Sequence, residues 1–123
     1  VPGIGGFIAY EIVTDLRHTR YLDKAYDIMF WANAGPGALR GLQRLCGVFV
    51  NKEDRKLGKK KEKSSNQAEC CSLMRQLLNI SRNSTASWVP DMEMRDIEHS
   101  LCEFDKYERV RLGEGRPRRK YRP

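Results

Sequence analysis

No run of apolar residues in this chain is long enough to span a bilayer, which excludes a membrane-spanning helix within it. The four cysteines, Cys46, Cys70, Cys71 and Cys102, include no Cys-x-x-Cys pair, and adjacent cysteines rarely bridge each other. That pattern fits a reduced chain of the cytosol or nucleus and argues against an iron–sulfur cluster, which needs four tightly grouped thiols. Histidine is scarce, with only His18 and His99, and nothing in the spacing identifies a metal site. No cofactor is expected. At 123 residues the chain makes one domain at most, with a modest core and little room for a deep pocket.

Acidic residues are in the minority. The net charge of +7 suits a polyanion as partner. Its distribution is more informative than its size. Residues 52–63 hold seven Lys/Arg against three Asp/Glu, and residues 109–123 hold seven against one, so the rest of the chain is slightly acidic. Two basic segments on an acidic body match a nucleic-acid partner, although solvated charge runs have the same composition. In the second segment Tyr121 lies among arginines, where it can stack on a base or ribose.

Glycine is placed where it shapes phosphate contacts. The opening Val1-Pro2-Gly3-Ile4-Gly5-Gly6 reads as a glycine-cornered turn leading straight into a helix over Gly5 to Arg17. Such a turn points several backbone N–H groups outward, and the helix dipole adds roughly 0.3–1 kcal/mol for an anion held there. Ile8, Ala9, Ile12, Val13 and Leu16 should form that helix's buried face. A second helix is expected over Tyr21 to Asn33, burying Leu22, Ala25, Ile28 and Met29. Asp27 stands out there, because a carboxylate among aromatic and aliphatic side chains is desolvated unless a partner offsets the cost.

The block Asn33-Ala34-Gly35-Pro36-Gly37-Ala38-Leu39-Arg40-Gly41-Leu42-Gln43-Arg44 is a further glycine-shaped helix start. Gly37 and Gly41 lie one helical turn apart, and Arg40 and Arg44 share a face above them. Two readings fit: a phosphate or pyrophosphate cradle, or a tight helix–helix crossing through small residues. A third helix, Asn66 to Arg82, should turn Cys70, Leu73, Leu77 and Ile80 inward. The last helix, Met92 to Tyr107, with Asp91 as its N-cap, should bury Met94, Ile97, Leu101 and Phe104. Beside that face Arg95, His99, Cys102 and Lys106 run in one stripe, next to Glu98, Glu103 and Asp105. The stripe offers an acid, a base and an anion clamp, or a surface laced with ion pairs.

The spacing of the first turn resembles the hairpin of helix-hairpin-helix DNA-binding proteins and DNA glycosylases. The segments GIGGFIAYEIVTDLRHT (3–19), AYDIMFWANAGPGALRGLQRL (25–45) and DIEHSLCEFDKYERVRLGEGRPRRKYRP (96–123) resemble the alpha-glutamyl/putrescinyl thymine pyrophosphorylases, the amino acid:DNA transferases of phage thymine hypermodification. Those enzymes have relatives fused to hydroxymethyluracil DNA kinases. The resemblance covers most of the chain but not residues 48–87.

The resemblance implies an all-α, helix-hairpin-helix, DNA-glycosylase-like domain, read as N-terminally truncated because the helix before the hairpin is missing. Its parts would be a hairpin and glycine-rich phosphate-binding core over 1–47, a basic loop over 48–66, C-terminal helices of the same domain over 67–108, and a basic tail over 109–123. The implied enzyme is a transferase that displaces pyrophosphate from pyrophosphoryloxymethyluracil in DNA with an amine, either an amino acid or a polyamine. Asp27, His99 and Lys106 are then the catalytic candidates. Gly35, Gly37, Arg40 and Arg44, with help from Lys106, would bind pyrophosphate. Gly3, Gly5, Gly6, Arg17, Arg118, Arg119 and Lys120 would bind DNA. Phe7 stands where bifunctional glycosylases carry a Schiff-base lysine, which argues against lyase chemistry. The implied partners are DNA containing a modified thymine and a small amine, with no membrane. The implied location is the cytoplasm of an infected host for a phage protein, or the nucleus for a eukaryotic one. Alternatives are a DNA glycosylase acting on a modified pyrimidine, with Asp27 as its carboxylate, and a non-catalytic DNA-binding module attached to a kinase.

Overall fold

The computed structural model describes residues 3–46 and 63–114. Four helices are present: α1 (Gly6–Leu16), α2 (Pro36–Cys46), α3 (Lys63–Arg82) and α4 (Met94–Arg111). No strand occurs among the described residues, so the fold is all-α. The main pairing is α2 with α4; α3 packs on α4 and more lightly on α2. Ala38 and Leu42 of α2, Cys70, Cys71, Met74 and Leu78 of α3, and Met94, Ile97 and Leu101 of α4 meet in the core. Ala32, Ala34 and Tyr10 complete it.

The α2–α4 contact is close because Gly41 has no side chain. A Cβ there would lie 2.3 Å from the Leu101 carbonyl oxygen, far inside van der Waals contact. A turn earlier, a Cβ on Gly37 would come within 2.8 Å of Cys102 Sγ. The small-residue stripe of α2 is therefore a helix crossing. It is not an open groove.

The first helix is turned over relative to the sequence expectation. Tyr10 and Thr14 are its buried residues, whereas Ile8, Ile12, Val13 and Leu16 are exposed and Phe7 is 70 % exposed. Polar latches hold this orientation. Arg17 pairs with Glu93 through Nε at 3.1 Å and Nη2 at 2.5 Å, and Arg95 Nη1 donates to the Thr14 carbonyl at 2.9 Å. The Tyr10 ring meets Trp31 edge-on at 6.1 Å, which seats the aromatic side of α1 inward.

The helix expected over Tyr21 to Asn33 is absent; residues 17–24 and 26–30 form turns and a bend. Its carbonyls are used elsewhere. Ile28 O accepts from the Met94 N–H, Phe30 O from Arg75 Nη1, and Ala32 O from Gln67 Nε2 and Cys71 Sγ. Bonds of that kind to α3 and α4 replace the i to i+4 ladder while still satisfying the backbone.

In α3 the inward face is centred on Cys70, Met74 and Leu78 with Cys71; Leu73 and Leu77 flank it, and Ile80 is 68 % exposed. The expected set was rotated by one position. For α4 the N-cap is Glu93, not Asp91, in a capping box with Asp96, and the helix continues to Arg111. Met94, Ile97 and Leu101 are buried as expected, and Phe104 is partly buried. All four cysteines are free.

Candidate functional site

One stripe of α4 lies along the glycine block of α2. Glu98, Leu101, Cys102 and Asp105, spaced i, i+3, i+4 and i+7, place a carboxylate at each end of the crossing and apolar contact between. At the α2 start, Glu98 Oε1 lies 3.8 Å from where a Gly35 Cβ would stand. Glu98 accepts from Cys102 Sγ at 3.3 Å, and its other oxygen is 3.5 Å from His99 Nε2. Burial pushes the Glu98 carboxyl up from its ordinary value, against the lowering effects of Cys102 and His99. The Cys102 thiol is pushed up to about 12, by burial first and by the Glu98 charge second. His99 Nε2 also faces Glu11 of α1 at 3.6 Å.

At the far end Asp105 is 0 % exposed, yet ionised. Burial alone would raise its pKa; the hydrogen bonds from Arg40 and Arg44 outweigh that and hold it below the usual carboxylate range. Arg40 Nε donates at 2.7 Å and Arg44 Nε at 2.9 Å, and Arg109 Nε stands 3.4 Å away. Arg44 also extends Nη2 to the Glu114 carboxylate. Its two acidic partners, Glu114 and then Asp105, raise the Arg44 pKa further. Thus the face expected as a pyrophosphate cradle lies against α4: Gly37 meets Cys102, Glu98 stands beside the half-buried Gly35, and Arg40 and Arg44 hold a protein carboxylate.

Asp27 occupies a different place. It lines a cavity of about 80 Å³ together with Tyr10, Thr14, Arg17, Trp31, Glu93 and Arg95. The cavity lies where α1, the turns after it and the start of α4 meet. The Tyr10 hydroxyl is buried without a hydrogen-bond partner; the Asn33 backbone is near but short of bonding geometry. Burial, then the Glu98 charge, push this phenol up to about 12, so it stays protonated. A wider groove of about 360 Å³, lined by Leu45, Leu77, Ile80, Ile97 and Phe104 among others, has no ionisable side chain in its described lining.

The three catalytic candidates are not brought together. His99 and Lys106 are absent from the lining of the Asp27 cavity, and Lys106 pairs with Glu103 at 2.5 Å on the exposed side of α4. Gly3, Gly5 and Gly6 are exposed with nothing near them, and Gly3 has φ +87°, the left-handed conformation the turn requires. Gly5 is the N-cap of α1 and makes no side-chain cap bond. Arg17 faces Glu93 and the cavity. Arg118, Arg119 and Lys120 lie outside the described residues, as does most of the basic loop.

The family model described as "5-hmdU DNA kinase, helical domain" matches residues 1–116. The chain belongs to that family. Searches of curated proteins and of solved structures find no match. Membership in the 5-hmdU DNA kinase helical-domain family places the chain in phage thymine modification. No helix among the described residues is long and apolar enough to cross a membrane, and no group of three His, Cys, Asp or Glu side chains among them is placed to hold a metal.

In this helical domain the sequence pattern had undervalued Glu98, Asp105, Arg95, Arg109 and Glu114. The first two carried a usable signal: two carboxylates seven residues apart on one helix bracket Leu101 and Cys102, the partners of Gly41 and Gly37. Arg95 stood in the expected stripe but its partner did not show, and Glu114 carried no signal, since their partners lie on α1 and α2, far away in sequence.

Proposed function

We propose that this domain acts on the modified base itself, as a transferase that replaces pyrophosphate on pyrophosphoryloxymethyluracil in DNA with an amine. The observation that carries the reading is the Asp27 cavity, where two carboxylates (Asp27 and Glu93, the latter paired with Arg17), two guanidinium side chains and two aromatic rings share a small space. At about 80 Å³ it is well below the roughly 300–1,000 Å³ of sites that enclose whole ligands. That size suits the reacting methylene and the amine nitrogen, with the rest of both reactants outside the cavity. Trp31, half exposed at the cavity wall, supplies a surface for a base swung out of the stack.

In the proposed reaction the amine lone pair attacks the exocyclic methylene carbon. A C–N bond forms, the C–O bond to pyrophosphate breaks, and pyrophosphate leaves with the bonding pair. The proton released from nitrogen passes to the Asp27 carboxylate. Arg95, together with Arg17 beyond its pairing with Glu93, stabilises the departing charge, which is where such a site gains most of its rate. Gly3, Gly5 and Gly6, open ahead of α1, are assigned to a backbone phosphate.

Nucleoside mass spectrometry tests the reading. DNA bearing pyrophosphoryloxymethyluracil is incubated with the full chain and a mixture of amino acids and polyamines. The expected product has the mass of an amine in place of pyrophosphate and is lost with Asp27→Asn. Abasic sites would instead establish a glycosylase, and an unaltered nucleoside with intact DNA binding would overturn catalysis by this chain.

A further inference from the structure

The Arg40–Arg44–Asp105 cluster has a third cationic arm and an internal anion, and neither serves the Asp27 cavity. Arg40 and Arg44 bind Asp105 through Nε, and Arg109 approaches it through the same atom. The contacts to the buried carboxylate run through Nε, and the Nη2 of Arg44 reaches outward to Glu114. Arg40 and Arg109 have side chains 44 % and 40 % exposed, so their forks reach the surface. Arg109 Nε is buried with no hydrogen-bond partner, an unmet donor inside the cluster. Arg44 shows what the outward ends can take: its Nη2 holds the half-exposed carboxylate of Glu114.

Charge makes the arrangement unequal. Glu108 is nearby but is bound by Arg111 through both Nε at 2.8 Å and Nη2 at 2.7 Å. The three remaining guanidinia face Asp105 and Glu114, a surplus of one positive charge that becomes two when Glu114 leaves. A buried aspartate alone needs no third arginine. Holding three guanidinia by one fixed carboxylate removes much of the side-chain entropy cost of gathering them around an incoming anion.

We propose that Arg40, Arg44 and Arg109 form a phosphate-binding site, positioned by Asp105, in which the Glu114 carboxylate occupies the place of the phosphate until one displaces it. The ligand is a phosphate group carrying two or more free oxygens. It comes either from the DNA backbone or from pyrophosphate; the second source rests on the transferase reading, whereas binding itself does not.

The test is titration calorimetry of the full chain with sodium pyrophosphate and, separately, with an unmodified DNA duplex at fixed salt. Glu114→Gln removes the competing anion at an exposed position and should tighten binding about two- to fivefold, the scale of one exposed ion pair. Arg109→Ala should weaken it about tenfold, the scale of one charge-assisted hydrogen bond. Both effects on pyrophosphate alone identify a pyrophosphate site; both on DNA alone identify a backbone site. Unchanged or weaker binding of both ligands by Glu114→Gln overturns the proposal, as does a chain that binds neither ligand. That failure is separate from failure of the transferase, which mass spectrometry reads without these variants.

Discussion

Substituting Gly41 by alanine is the most direct perturbation of this fold, because the space it would need is occupied by backbone. The new methyl would stand 2.3 Å from the Leu101 carbonyl oxygen, 2.8 Å from its carbon and 3.0 Å from its Cβ. Restoring ordinary contact requires α2 and α4 to separate by about 1 Å, because no side chain can rotate away. Overpacking of this kind costs about 1–3 kcal/mol, and obstruction by backbone puts Gly41 at the upper end. Alanine's better helix propensity returns about 1 kcal/mol. A net loss of about 2 kcal/mol remains. For a chain of this size that lowers the melting temperature by about 6–12 °C.

Thermal unfolding followed by far-UV circular dichroism provides the assay, with two internal comparisons. Gly6→Ala, with nothing within 4 Å of the new methyl, should be neutral or slightly stabilising. Gly37→Ala meets the Cys102 thiol, whose side chain can swing aside, and should fall between the two. A Gly41→Ala variant that melts at or above the parent would refute the close crossing, and with it the claim that α4 fills the glycine block.

Asp105→Asn should cost about 3–5 kcal/mol in denaturant titrations, since it leaves gathered guanidinia without their buried carboxylate. Because the folded pKa of Asp105 is depressed, its contribution is full above the ordinary value of 3.8 and is lost as pH falls toward the folded value; the variant should lack this acid-sensitive step. Glu98 has the opposite sign. Its folded pKa is raised, so the folded state binds the extra proton and stability declines as pH rises from 4.5 toward that folded value; melts of Glu98→Gln across this range should show the decline flattened.

Helix positions were legible wherever a local signal marks them. Pro36 marks the start of α2, and the Met94, Ile97, Leu101 spacing shows which side of α4 is buried. What periodicity cannot supply is the neighbour. The aliphatic stripe of α1 has the right spacing for burial, yet Tyr10 and Thr14 face inward because Glu93, Arg95 and Trp31 are there to meet that side. Residues 21–33 have the composition of a helix, but their carbonyls are taken by α3 and α4, partners more than forty residues on for Arg75 and Phe30. The glycine block shows the same limit at the candidate site. A phosphate groove and a helix crossing ask for the same small residues and the same arginines, and the deciding side chains lie on α4. Asp27 was legible as a carboxylate in aromatic surroundings; the arginines that share its cavity were not.

The position of α4 carries a consequence for how anions reach this domain. Its Glu98 and Asp105 neutralise in advance the two features of α2 that attract phosphate, the helix start and the arginine pair. A free phosphate must therefore compete with a protein carboxylate, which disfavours small, dilute anions. A polyanion is less affected, because its many phosphates are drawn by the basic stretches at 52–63 and 109–123 and arrive at high local concentration. Selectivity for DNA then follows from placement as much as from charge: long-range attraction comes from the basic segments, and the arginine cluster admits a phosphate only where Glu114 yields. Raising salt should weaken DNA binding steeply, through counterion release along the basic segments, while the Glu114→Gln gain changes little, because one short-range contact is less screened than the whole field.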